Sequence, residues 1–387
     1  MKFLILFALT IGLISCAERV SDGSAGEGWI TLRIDPGAIS EPELKIDSFV
    51  DSVRFVKLET TERCIIGQIS RLFFIDSLLV AVDSKAGTLL FFDNRGKYLR
   101  TLDKRGRAPG EYTRITCALY DSIRQQIAIY DGPMRKLLFY RLDGTLIREI
   151  PDFCEQAVIR DLINLPDGSF LCYLPDAVVG QRGYDDRYIG LWKVDSAGRF
   201  VKNFLTYRTL YPISIPRYGA YLTHLDGDRI GFTDGVTGDI YRFEQDSLYK
   251  YIAYDIVGPK ITDFPDRQAV PGSEFAYVGP MWAEQKGDYV YSFWENDRDL
   301  FPVLYSSRDD RLTVAELPDR RYVVGHHVPN NRNRIMTLVV TGEDILLQQS
   351  FSYPEEIERV VLRQVEGMTE EQIAEMNPLV EIWHIKP

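Results

Sequence analysis

The sequence predicts an all-β fold, a six-bladed β-propeller with a small helical insertion in the last blade. Three observations carry that prediction. A unit made of an apolar residue, usually followed by an aromatic and then a turn, recurs six times along the chain. Turns containing Asp, Asn or Gly follow the early copies at intervals that suit a four-stranded sheet. No strand–helix alternation intervenes, as a parallel α/β fold would require. A β-sandwich is the runner-up, but it has no reason to repeat its strand order so regularly. At 387 residues the chain could hold two average domains, and the repeat argues for a single ring instead.

The elements run as follows. Residues 1–15 read as a signal peptide: Lys2 is a positive start, Phe3 to Leu13 are apolar, and small Ser15 precedes Cys16. The apolar run is about half of the roughly 20 residues that a membrane-spanning helix needs. Leu13-Ile14-Ser15-Cys16 looks like a bacterial lipobox, which implies cleavage before Cys16 and acylation of its thiol and of the new amino terminus. Residues 16–28 are polar, glycine-rich and aperiodic, a lipidated flexible tether ahead of a propeller over residues 29–387.

Six copies of the unit follow: Leu90-Phe91-Phe92-Asp93, Leu138-Phe139-Tyr140-Arg141, Leu191-Trp192-Lys193-Val194, Ile240-Tyr241-Arg242-Phe243, Val303-Leu304-Tyr305-Ser306 and Ile382-Trp383-His384-Ile385. Short β-rich runs precede the first five, among them LLVAVDS, QIAIYDG and RIGFTDG, and read as neighbouring strands of the same sheet. Asn94-Arg95-Gly96, Asp143-Gly144 and Ala197-Gly198 tolerate the positive φ of tight hairpin turns. Gly96 and Gly144 stand 48 residues apart, and Gly144 and Gly198 stand 54 apart, a plausible blade length. Closure needs both ends of the chain in one blade. The strand Val53 to Leu58 has no partner of its own, so it is expected to pair with the final strand, LVEIWHI. Between residues 353 and 377, the spacing of Ile357, Val360, Val361 and Val365 is helical, Gly367 is a stop, and Thr369 with Gln372 forms a capping box. An inserted helical hairpin over the sixth blade is the expectation.

The run Lys104-Arg105-Gly106-Arg107-Ala108-Pro109-Gly110-Glu111-Tyr112, with FVKLETT and CIIGQIS before it and NPLVEIWHIK at the end, resembles the six-bladed propeller lipoproteins of Bacteroidetes, which are related to NHL-repeat and TolB-like propellers. The resemblance covers nearly all of the mature chain. It implies fold and envelope location and transfers no catalytic residue.

The net charge of −11 argues against nucleic acid, whose binding relies on clustered Lys and Arg. After export four cysteines remain, Cys64, Cys117, Cys154 and Cys172, which allows three disulfide pairings. Cys117 and Cys172 lie in strand-like runs where a small buried hydrophobe is the plainer role.

Propellers present ligand sites on the loops that link one blade's outer strand to the next blade's inner strand. In the first such loop Arg105 and Arg107 stand beside Glu111 and Tyr112, a set able to grip a carboxylate, phosphate or sugar acid. The same residues would also make an ordinary glycine-shaped turn with solvated arginines. Residues 207–224 bring Arg217, Tyr218 and His224, and a later loop brings His326 and His327. Three histidines can bind zinc, but adjacent side chains in extended chain point opposite ways, so His326 and His327 are awkward ligands for one ion. Tyr184, Tyr277, Trp282 and Trp294 can stack on sugars or pack inside. Asp185-Asp186 and Asp309-Asp310 read as solvated turn acids. No serine-nucleophile elbow, phosphate loop, zinc-protease helix or dinucleotide fingerprint is present.

The reading is of a monomeric envelope lipoprotein, anchored through Cys16 at the outer membrane or periplasmic face, binding a glycan, peptide or envelope protein. No catalytic residue, metal or cofactor is assigned. The alternative is a metal-dependent hydrolase or lyase with its site on the propeller axis.

Overall fold

The computed structural model describes residues 28–42, 44–155, 159–178, 187–209, 221–225, 229–235, 237–258, 278–296, 299–316, 326–347 and 355–387. They form six sheets arranged as the blades of a propeller. Two strands precede the first complete blade, β1 (Ile30–Ile34) and β2 (Val50–Lys57). Blade 1 is β3 (Ile69–Ile75), β4 (Leu78–Asp83), β5 (Thr88–Asp93) and β6 (Tyr98–Leu102). Blade 2 is β7 (Cys117–Asp121), β8 (Gln126–Asp131), β9 (Lys136–Arg141) and β10 (Leu146–Ile150). Blade 3 is β11 (Asp161–Asn164), β12 (Phe170–Val178), β13 (Arg187–Val194) and β14 (Phe200–Thr209). Blade 4 holds β15 (Leu222–His224), β16 (Ile230–Thr233), β17 (Ile240–Glu244) and β18 (Ser247–Ile256), and blade 5 holds β19 (Val278–Lys286), β20 (Tyr289–Asn296), β21 (Asp299–Ser306) and β22 (Arg311–Val314). Blade 6 comprises β23 (His326–His327), β24 (Ile335–Val340), β25 (Leu379–Ile385) and, from the other end of the chain, β2.

All six copies of the sequence unit lie on the third strand of a blade. That strand has neighbours on both edges and a blade on each face, so it reads as a nearly unbroken apolar run: five of the six residues of β5 and of β9 are buried. The outer strands face solvent, and β10 has one buried residue out of five. The ring closes as expected. Val53 pairs with Trp383, Phe55 with Glu381 and Lys57 with Leu379, all antiparallel. Gly96, Gly144 and Gly198 turn their hairpins at φ of 86°, 87° and 87°. At Gly96 no other residue fits, because a Cβ would lie 2.0 Å from the carbonyl oxygen of Lys57.

Each neighbouring pair of blades shares one apolar cluster, and the six clusters run round the ring without a gap. Fully burying one such side chain is worth about 1.5–3 kcal/mol relative to leaving it exposed. The aspartates ending the runs LLVAVDS and QIAIYDG are buried anchors. Asp83 accepts from the backbone N–H groups of Gly67, Gln68, Lys85 and Ala86, and Asp131 accepts from Thr113. Each ties an inter-blade loop to the turn after the second strand of its own blade.

Several expectations are corrected. Blade 4 has five strands, because β1 pairs in parallel with its outer strand β18, Ile30 with Ile252 through Ile34 with Ile256. A parallel edge addition leaves no hairpin signal in sequence. From there the segment hooks onto blade 5, where Ser40 N donates to Val314 O at 2.9 Å, before entering blade 6 as β2. The helical insertion lies between β24 and β25 and contains α1 (Gly342–Leu347), α2 (Glu355–Gln364) and α3 (Glu370–Ala374). The capping box of Thr369 and Gln372 opens α3, whereas α1 had no expectation. Val361 and Val365 pack inward with Ile345 and Ile373, but Val360 faces solvent at 38% exposure. Cys64, Cys117, Cys154 and Cys172 are buried free thiols, and the last three share the core between blades 2 and 3.

Candidate functional site

The first strand of each blade is the inner edge of its sheet, and there its side chains meet those of other blades. Each of the six inner strands brings an ionisable residue: Arg71 on β3, Asp121 on β7, Asp161 on β11, His224 on β15, Glu284 and Lys286 on β19, and His327 on β23. Asp161 is the node of one group. Its Oδ1 accepts from the Arg71 guanidinium at 2.7 Å, and its Oδ2 accepts from the backbone N–H groups of Tyr221 and Leu222, both at 3.0 Å. One carboxylate thus joins blades 1, 3 and 4.

The second group lies between blades 5 and 6. His327 Nε2 donates to Glu284 Oε2 at 2.5 Å, and Lys286 Nζ stands 2.9 Å from Glu284 Oε1 while donating to Arg332 O at 2.7 Å. The imidazole stacks on Trp282, with centroids 4.2 Å apart and planes 17° from parallel. Register explains the contact. Trp282 and Glu284 are two apart on β19 and share the face turned toward blade 6. Burial alone would raise the Glu284 pKa, but Lys286 and His327 outweigh it and hold the carboxyl down at about 2. His327 Nδ1 is buried and has no hydrogen-bond partner. At the end of β15, burial first, and then the cations Lys286 and Arg71, lower His224 to about 4, so its ring is neutral at physiological pH.

The arrangement offers a ligand a neutral imidazole, a buried ring nitrogen without a partner and a cross-braced set of charges. The inner-strand carboxylates Asp121, Asp161 and Glu284 are each already matched by a protein cation, Arg124, Arg71 and Lys286. Among the described residues, no group of three or more His, Cys, Asp or Glu is placed to hold a metal.

His224 and His327 were expected in loops and instead lie on inner strands, because strands of three and two residues are too short to show alternation. Of His326 only its place on β23 is described. Trp282 stands at the axis and Trp294 is wholly buried on β20, its indole N–H donating to Ser292 Oγ at 2.9 Å. The Lys104–Tyr112 loop is knitted to itself. Arg105 pairs with Asp103 at 2.6 Å, and Glu111 accepts from Ala108 N at 3.0 Å. Tyr112 is fully buried, edge-on to Tyr140, whose hydroxyl donates to Gly110 O at 2.8 Å. Arg107 is exposed. No described contact joins this loop to the axis. Asp310 accepts from Tyr305 Oη at 2.8 Å. Cys16, Tyr184, Asp185, Asp186, Arg217, Tyr218 and Tyr277 lie outside the described residues. Sequence reasoning missed Arg71, Asp161, Glu284 and Lys286. The available signal was the charged pair Glu284 and Lys286 just ahead of the turn Gly287-Asp288, in MWAEQKGDYVYSFW, a run aromatic enough to be largely buried.

A family model described as a domain of unknown function, DUF4934, matches residues 30–358. No curated protein matches the sequence. Among solved structures, the fold is similar to a Bacteroides fragilis protein provisionally described as exported, at TM-score 0.72 and 14% identity over 92% of this chain and 99% of that one. It is also similar to a Bacteroides vulgatus member of the DUF4221 family, at TM-score 0.50 and 10% identity over 87% and 97% of the two chains. A virginiamycin B lyase of Staphylococcus aureus follows at TM-score 0.42 and 11% identity, over 74% and 81%. At such identities the first two likenesses are ones of fold.

Proposed function

The chain belongs to the DUF4934 family, and from that premise we propose that it is an exported lipoprotein whose propeller binds a glycan, peptide or envelope protein at its axis and inter-blade loops. The observation that carries the binding reading is the convergence of Arg71, Asp161, His224, Glu284, Lys286 and His327 from five separate blades. Buried charges are costly unless paired. A fold that needed only a filled centre would be better served by apolar side chains, and this one keeps an imidazole nitrogen without a partner there. The rival reading, a metal-dependent hydrolase or lyase, would require Asp161 or Glu284 to release its cation before meeting a metal. The lipid rests on Leu13-Ile14-Ser15-Cys16.

The test is a glycan and peptide array probed with the full chain carrying Cys16→Ser, repeated with His224→Ala and with Arg105→Ala/Arg107→Ala. Binding lost on His224→Ala is the expected result. Binding unchanged in both variants removes the axis and the first inter-blade loop from the ligand site. For the anchor, metabolic labelling with radioactive palmitate should mark the natural chain and not the Cys16→Ser variant.

A further inference from the structure

A second site stands apart from the axis, at the seam between blades 4 and 5. The two positions that fill a seam are visible between blades 1 and 2, where Phe91 of β5 and Tyr120 of β7 both belong to the shared apolar cluster. The residue equivalent to Phe91 in blade 4 is Arg242, and the residue equivalent to Tyr120 in blade 5 is Gln285. Tyr120 and Gln285 each pair one step before the last register of their inner hairpin, with Ile127 and Val290.

A reversal accompanies the exchange. In blades 1 and 2 an outer-strand arginine covers a third-strand aromatic, Arg100 over Phe91 at 3.5 Å and Arg148 over Phe139 at 4.2 Å. In blade 4 the arginine is on the third strand and the aromatic on the outer strand, with Arg242 over Tyr251 at 3.3 Å. All three pairs are nine residues apart in sequence. The reversal turns a guanidinium inward, where a phenyl ring would have filled space.

What remains is a cavity of 390 Å³, within the ~300–1,000 Å³ range of small-molecule sites. It is lined by Arg242, Gln285 and Tyr251, walled by Ile30 of β1, and opens at Asp288, Ser307 and Asp310 on the face opposite the inter-blade loops. Arg242 Nε is buried with no hydrogen-bond partner, and Gln285 Oε1, on a side chain 3% exposed, also has none. Orphaned buried donors and acceptors are costly, so each marks a place for a partner.

We propose that this cavity binds a small neutral saccharide. One orphan is a donor and the other an acceptor. A carboxylate could satisfy Arg242 but not Gln285, and an ammonium could satisfy Gln285 but not Arg242. A hydroxyl accepts from one and donates to the other. The charges of the lining balance, with Arg229 and Arg242 against Asp288 and Asp310, which favours an uncharged guest. Tyr251 and Tyr305 supply aromatic wall.

The experiment is titration calorimetry of the full chain carrying Cys16→Ser with lactose, maltose and cellobiose, and with glycylglycine and galacturonate as zwitterionic and anionic comparators. Saturable binding of at least one neutral disaccharide is expected, weakened at least tenfold by Arg242→Met, by Gln285→Leu and by Ser307→Trp, which blocks the mouth from a surface position and spares the core. The exposed, remote change Arg63→Ala should leave it unchanged, and the three seam variants should keep whatever array binding His224→Ala removes, so that failure here and failure of the axial reading are separate results. Absence of disaccharide binding, binding of the comparators alone, or affinity indifferent to all three seam variants would overturn the proposal, the orphans then being served by water only.

Discussion

The seam between blades 1 and 2 is closed by hydrocarbon, with Phe73, Val82, Phe91, Leu138 and Tyr140 meeting face to face, whereas the seam between blades 5 and 6 carries four ionisable groups that water hardly reaches. Glu284, Lys286, His327 and Glu381 are exposed by 1%, 1%, 6% and 0%. The first seam is held by area and tolerates any close-fitting apolar set. The second has its own apolar cluster, including Phe49, Tyr291 and Trp383, but it also buries charges that must stay paired, and it fails when a partner is removed. Regular repeats thus carry the ring, and departures from them mark where chemistry has been preferred to packing.

The largest test of this contrast is Glu284→Ala, which leaves Lys286 and His327 without their acceptor. A loss of about 3–5 kcal/mol is expected in urea unfolding, similar to Phe91→Ala in the apolar seam. The two seams should then part company. The double change Glu284→Leu/Lys286→Met should cost less than Glu284→Ala alone, since it removes both charges. A Glu284→Ala loss below about 1 kcal/mol would mean that the ionic seam is wet, and the contrast would vanish.

Glu381 offers a second test, through pH. Its Oε1 accepts from the Trp383 indole at 2.6 Å and its Oε2 has no partner. Burial raises its pKa from 4.5 to about 8, against the smaller effect of the Trp383 hydrogen bond. The folded state therefore holds this proton where the unfolded state releases it, and stability falls as pH rises from about 4.5 to about 8. The slope from this group approaches about 1.4 kcal/mol per pH unit within that window. Urea midpoints at pH 6, 7 and 8 should fall in the natural chain and flatten in Glu381→Gln. A variant with the same slope would show that this carboxyl is ionised throughout.

The smallest expected effect compares two hairpin glycines. Gly144→Ala meets only Leu102, at 3.8 Å, so its cost is that of a left-handed alanine, about 1–2 kcal/mol. Gly96→Ala adds collision with Lys57 O at the ring-closing strand and should cost clearly more. Equal melting temperatures for the two variants would show that β2 yields freely.

Much of the ring was legible because third strands are buried on both faces and reveal themselves as apolar runs, while Gly96, Gly144 and Gly198 fix the turns between them. The pairing of Val53 to Leu58 with the last strand followed from counting unpartnered strands, and the capping box at Thr369 from a local signature. The inner strands were hidden by shortness: Leu222–His224 and His326–His327 have too few residues to alternate. The axial and seam chemistry was hidden because it depends on residues far apart in sequence. Arg71 and Asp161 are 90 positions apart, and Glu284 and His327 are 43 apart. Nothing local distinguishes such charges from solvated ones.

The edge strand β1 has a mechanical consequence. It runs parallel to β18, so Ile30 sits at the end where the hairpin turn Gln245–Asp246 lies. With the proposed lipid on Cys16, the leash leaves from that end, and the disc would hang with its turn side toward the bilayer and its inter-blade loops facing away. Tension along the leash would load the β1–β18 hydrogen bonds in shear, all at once. It would spread through the hook on blade 5 before reaching β2, so the ring's clasp would be shielded from the pull of its own mooring.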